Sequence, residues 1–290
     1  MHGTVDGFSY GLVTPLVAYL MACLGGALGL RCTTRALLVA HTWRPGWLAL
    51  GSAAIGSGIW TMHFVAMTGF TVEGAPISYD RPTTYASLVL AVVMVGVGVF
   101  IVGYRGATGS ALFTGGTITG LGIASMHYLG MAGMRFDGTL SYDTPTVGAS
   151  VVIAVVAATA ALWAAGRVRG VLWSVGASLV MGLAVSGMHY TGMAALGVHV
   201  DGASGGGPVS GESPADLLVP MLIGPLAFLL LAGVVVLFDP LMVTGGSDWV
   251  TVEHKPGVPA REFLTHSAAR PVAGAGRVPA GRGPAAPRNR

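Results

Sequence analysis

The chain has 290 residues, 53% of them hydrophobic and only 9% charged, with a mean hydropathy of +0.71. Soluble domains carry about a quarter charged residues, so this composition excludes an ordinary soluble domain and marks an integral membrane protein. The net charge of +3 follows from arginines in loops and tail and gives no reason to expect nucleic acid as a partner.

Apolar runs lie near 8–30, 46–70, 84–104, 110–134, 147–166, 171–197 and 217–238. Each reaches about 20 residues, enough for a helix rising about 1.5 Å per residue to cross about 30 Å of hydrocarbon. The expected fold is therefore an all-α integral membrane protein, a seven-transmembrane-helix bundle over residues 1–238, with the lipid bilayer as its first partner. No Lys or Arg precedes Arg31, so the first run lacks the basic region of a secretory signal and reads as a span. Cys23 and Cys32 have no metal-ligand or redox spacing and read as small apolar fillers.

Loop charges fix an expected orientation. The connections 31–45, 105–109 and 167–170 hold Arg31, Arg35, Arg44, Arg105, Arg167 and Arg169, and no acid. The alternate connections hold only Arg81 and Arg135 among Glu73, Asp80, Asp137, Asp143, Asp201, Glu212 and Asp216. The positive-inside rule then places the N-terminus outside and the C-terminus in the cytoplasm. Trp43, Trp47 and Trp173 fall near the inner boundary, where aromatic anchors are common.

Three uncharged segments share one pattern: TMHFVAMTG at 61–69, SMHYLGMAG at 125–133 and GMHYTGMAA at 187–195. A second similarity joins ISYDRPTTYASLVLAVV at 77–93 to LSYDTPTVGASVVIAVV at 140–156. The implied unit is a helix ending in the motif, an outer loop ending in SYD-x-P-T, and a returning helix. A third, degenerate copy follows, with 217–238 as its return. From residue 239 the chain is rich in Pro, Gly, Ala and Arg, and 239–290 reads as a disordered cytoplasmic tail.

In each motif a Met follows the His by four residues and a Gly (Gly56, Gly120 or Gly182) precedes it by seven. On a helix these positions share one face, and small residues there let helices approach closely in lipid. That face is expected to point into the bundle, bringing His63, His127 and His189 to one level near the outer surface. Intramembrane polar residues are costly and mark function. Imidazole with thioether favours copper, whereas zinc prefers His, Cys and carboxylate. Met67, Met131 and Met193 are the better thioether candidates, because Met62, Met126 and Met188 point about 100° away from the histidines. Asp80 and Asp143 are candidates to fold back as histidine partners. His199, ten residues after His189, is the only other histidine placed near the site.

Seven spans with MHF, MHY and MHYT near the outer ends of the second, fourth and sixth resemble the MHYT family of bacterial integral-membrane sensor domains. The resemblance covers about residues 8–238 and implies a plasma-membrane protein with a copper site near the outer face that detects a diatomic gas (oxygen, carbon monoxide or nitric oxide). It assigns Met62, His63, Met126, His127, Met188 and His189 as ligand candidates. Only Met188-His189-Tyr190-Thr191 is a complete motif; Phe64 and Val65, and Leu129, depart from it. Many members fuse this domain to cyclic-di-GMP signalling modules. The tail here is too short for one, so output is expected to pass to a separate cytoplasmic partner or through the tail. Two rivals remain, a copper transporter and a haem protein using two histidines; no catalytic arrangement stands out, and an enzyme is not expected.

Overall fold

A computed structural model gives the structure of the chain and describes residues 5–6, 10–39, 41–72, 77–167, 171–200 and 214–239. The expected disordered tail, and the Gly/Ser-rich loop before the last helix, lie outside the described residues apart from Asp239. Among the described residues there are seven helices: α1 (Val13–Leu38), α2 (Arg44–Thr68), α3 (Arg81–Arg105), α4 (Gly109–Ala132), α5 (Thr144–Arg167), α6 (Val171–Ala194) and α7 (Pro214–Leu237). Arg31 and Arg35, expected in a connection, belong to the last turns of α1.

Six of the helices are long and apolar enough to cross a bilayer; α4 falls short. Its sequence carries six glycines and three threonines, residues that lower hydropathy while allowing close packing. The outward faces of the helices expose large apolar side chains such as Leu16, Val89, Val93, Val152, Leu183 and Leu230. The interior instead holds Ser52, Thr61, Thr84, Ser87, Ser150 and the three motif histidines. A surface this apolar is untenable in water and suits hydrocarbon. Several buried hydroxyls are satisfied within their own helices, as where Ser52 donates to the Leu48 carbonyl at 2.7 Å, and these do not require water; the hydroxyls of Thr61 and Ser186 are buried without a partner.

Short antiparallel strand pairs close one end of the bundle. β1 (Val5–Asp6) pairs with β2 (Thr71–Val72), β3 (Ser78–Tyr79) with β4 (Met134–Arg135), and β5 (Gly138–Tyr142) with β6 (Leu196–Val200). The structural repeat is therefore strand–helix–helix–strand, in three copies: β1-α1-α2-β2, β3-α3-α4-β4 and β5-α5-α6-β6. In each, the motif helix comes second and the strand pair ties its end to the start of the helix before it.

The strand pairs group each motif helix with the helix before it, whereas the unit read from sequence groups it with the helix that follows; in a closed ring both divisions hold. Packing shows the reason. Each helix packs on the next from α1 to α6, α6 packs back on α1, and α7 lies outside this ring against α2 and α1. A Cβ on Gly56 would fall 2.8 Å from the Val92 Cα of α3, and one on Gly120 would strike Val155 of α5. One on Gly182 would meet Cys23 of α1 at 2.5 Å. The place expected for the third returning helix is thus taken by α1, not by 217–238. The glycines seven residues before each histidine mark the seams between repeats, where only a missing side chain lets the backbones meet. Cys23 and Cys32 are buried free thiols, as expected of apolar fillers.

Candidate metal centre

Each motif histidine sits five residues before the end of its helix, His63 in α2, His127 in α4 and His189 in α6. The pseudo-threefold ring turns this shared position into convergence. Nδ1 of His63 lies 3.0 Å from Nδ1 of His189 and 3.1 Å from Nδ1 of His127, and the third side is 3.3 Å. The rings meet edge to face with centroids 4.8–5.1 Å apart, and all three side chains are buried.

Three imidazoles cannot satisfy one another in this arrangement. A ring nitrogen that carries a proton has no lone pair in the ring plane to accept with, and one that carries none can only accept. A closed cycle of three Nδ1···Nδ1 hydrogen bonds is therefore impossible. With the protons on Nε2, three lone pairs converge on one point. A triangle with these sides has its centre about 1.8 Å from each corner (side divided by √3), close to the roughly 2.0–2.1 Å of a zinc–imidazole bond. The donor set thus fits a metal ion, and His63, His127 and His189 form the one cluster of such ligands among the described residues.

The backs of the rings are as tightly set. A Cβ on Gly130 would stand 2.7 Å from Nε2 of His63, and one on Gly192 would stand 2.5 Å from Nε2 of His127. His63 and His127 therefore each lean on the glycine of the next motif helix. Neither Nε2 has a hydrogen-bond partner.

The aromatic after each histidine packs edge-on against it, at centroid distances of 4.6 Å for Phe64, 4.8 Å for Tyr128 and 4.9 Å for Tyr190. The Tyr128 hydroxyl bonds Ser150 of α5 at 2.7 Å rather than a histidine. Phe64 has no hydroxyl for the equivalent Ser87 of α3. Trp60, packed against Phe64 at 4.6 Å, donates its indole N–H to Ser87 at 2.9 Å in its place. That exchange explains how the first motif tolerates phenylalanine, a compensation one helical turn away that motif spacing does not reveal.

Met62, Met67, Met126, Met131 and Met188 are all buried in the apolar core, and Met193 is half-buried against that core. Asp80 and Asp143 are not histidine partners. They cap α3 and α5, accepting from the backbone N–H of Thr83 at 2.9 Å and of Thr146 at 3.1 Å. The Thr83 hydroxyl and then its N–H hold the Asp80 carboxyl below its ordinary value, and Thr146 does the same for Asp143. Capping wins because an exposed helix start leaves amides needing acceptors, whereas reaching the buried triangle would strip a carboxylate of water. His199 pairs across β5–β6 with Thr139 and stands apart from the triangle.

The family model for MHYT, described as a bacterial signalling protein N-terminal repeat, matches residues 56–115 and 120–178. Residues 56–178 belong to the MHYT family. The third copy of the motif, around His189, lies beyond the matched residues. Among MHYT relatives, the bifunctional diguanylate cyclase/cyclic di-GMP phosphodiesterase MucR of Pseudomonas aeruginosa is 39% identical over 188 residues, covering 63% of this chain and 27% of that protein. The cyclic di-GMP phosphodiesterase NbdA of the same organism is 36% identical over 203 residues, 64% of this chain and 25% of its own length. The signaling protein YkoW of Bacillus subtilis is 30% identical over 190 residues, 63% of this chain and 24% of its own. The match thus spans about a quarter of these signalling proteins. No solved structure matches the chain.

Proposed function

We propose that this chain is a sensor rather than an enzyme. In this reading all seven helices cross a bacterial plasma membrane, with the N-terminus outside and the C-terminus in the cytoplasm. His63, His127 and His189 hold one copper ion through Nδ1 near the outer face. The carrying observation is the closed triangle of buried Nδ1 atoms. The methionines of the surrounding core supply the soft environment that favours copper over zinc. A copper ion bound there would supply a place for a diatomic gas (oxygen, carbon monoxide or nitric oxide) to bind, or a change of oxidation state.

The chain's own residues then do the rest. The rings of Phe64, Tyr128 and Tyr190 exclude water from the triangle. The glycine seams allow the motif helices to shift against their neighbours, and that shift reaches a separate signalling partner at the cytoplasmic ends. Relatives named for cyclic di-GMP synthesis and breakdown support the signalling role.

Haem ligation is disfavoured by the rings themselves, whose edge-to-face contacts leave no slot for a porphyrin between two imidazoles. Transport is disfavoured because the ligands lie at one depth. The test is an infrared difference spectrum of copper-loaded protein under carbon monoxide. A shifted C–O stretch, absent from the His127→Ala protein, supports the reading; a spectrum of dissolved gas alone overturns it.

A further inference from the structure

The residues one helical turn below the three histidines are Ile59, Ile123 and Val185, four positions earlier in each motif helix and on the same face. They do not meet at the centre. Beneath the triangle lies a chamber of about 40 Å³, with these three residues and Met188 at its upper end and Thr33, Val102 and Ala165 at its lower end.

Aligning the two SYD segments puts Ala158 of α5 opposite Val95 of α3, and Ala165 opposite Val102. All four line the space. At these two positions α5 carries alanine where α3 carries valine, which leaves room on the α5 side, while at a neighbouring lining position Leu162 stands opposite Val99.

The lining is almost wholly apolar. Its only polar side chains are Thr33 and Thr119, whose hydroxyls donate to the carbonyls of Gly29 at 2.9 Å and Met94 at 3.4 Å. A water molecule needs two to four polar partners, and an apolar cavity without them stays dry and takes up small apolar guests such as xenon. About 10–15 Å³ of such space is enough for one water-sized sphere, so the chamber is large enough for a molecule of two heavy atoms.

We propose that this chamber is a binding site for one small, uncharged, apolar molecule of diatomic size, held directly beneath the histidine triangle. Such molecules dissolve preferentially in the hydrocarbon of the bilayer, so the ligand reaches the chamber from the lipid side rather than from water. The inference rests on the reading of the triangle as the place of gas detection, and gives that detector a local store of its ligand.

Crystals of the full chain pressurised with xenon test it, with anomalous scattering locating the gas and metal content measured on the same preparation. One xenon between Ile59, Ile123, Val185 and Ala158 is expected in the native protein, with occupancy reduced at least tenfold in Ala158→Leu and Ala165→Leu. No xenon in the native chamber, or equal occupancy in whichever filled variants fold, overturns the proposal. Xenon bound in a protein that takes up no metal upholds the chamber while removing the metal reading. Metal without xenon overturns the chamber alone.

Discussion

The imidazole of His127 backs onto Gly192 of the next motif helix so closely that a Cβ there would stand 2.5 Å from Nε2. Gly130 receives His63 in the same way, at 2.7 Å. The threefold order continues to Ala66, the residue at this position in the first motif. Gly192→Ala and Gly130→Ala should each push a histidine off the triangle. Overpacking a close-packed interior costs about 1–3 kcal/mol, so thermal unfolding in detergent should show a loss of that order, together with weakened metal uptake. Ala66→Gly, which only adds room, should keep the metal.

Asp80 and Asp143 give the strand-closed end of the bundle a pH dependence. Both carboxyls are held below their ordinary value by threonine hydroxyls and amides. A group lowered in the folded state adds stability above its unfolded value, and that stability is lost as pH falls through the folded value. Thermal stability should therefore decline as pH drops below about 4. The Asp80→Asn/Asp143→Asn protein should start lower at pH 7 and decline less over the same range. Parallel curves for the two proteins would show that the caps do not titrate.

At the other end of the bundle, Arg35 of α1 bonds Asp239, just beyond α7, at 2.6 Å, with the carboxylate side chain only 4% exposed. Arg35 also lies 5.6 Å over the ring of Trp47 in α2. Removing one partner of a buried pair strands the other charge, at about 3–5 kcal/mol. Asp239→Ala should lower stability accordingly and loosen α7 from α1. The double variant Arg35→Met/Asp239→Leu should recover much of that loss, as read by thermal melts and by protease sensitivity of α7.

The motif histidines, their shared helical face and their common depth were legible in the sequence because helical periodicity and membrane cost act on residues close in the chain. The closure of the ring was not. That α1 takes the place expected for 217–238 depends on which surfaces meet across the bundle, and the glycine before each histidine looks the same whether its neighbour is α3, α5 or α1. The capping role of Asp80 was legible in principle: Asp-x-x-Thr before an apolar run is a helix-start signal, and a pull toward the histidines was the competing reading. The use of Nδ1 by all three rings, and the replacement of a tyrosine hydroxyl by the Trp60 indole, depend on side-chain rotamers that spacing alone does not determine.

The central claim is that three buried nitrogens share one ion. Metal content of the detergent-purified protein after copper loading, beside His63→Ala, His127→Ala and His189→Ala taken singly, tests it most directly. The account predicts about one copper per chain in the native protein and a loss of at least tenfold in each variant, since each histidine supplies one corner of one site. No copper in the native protein, or single variants that fold and keep it, would contradict the shared site and return the histidines to helix packing.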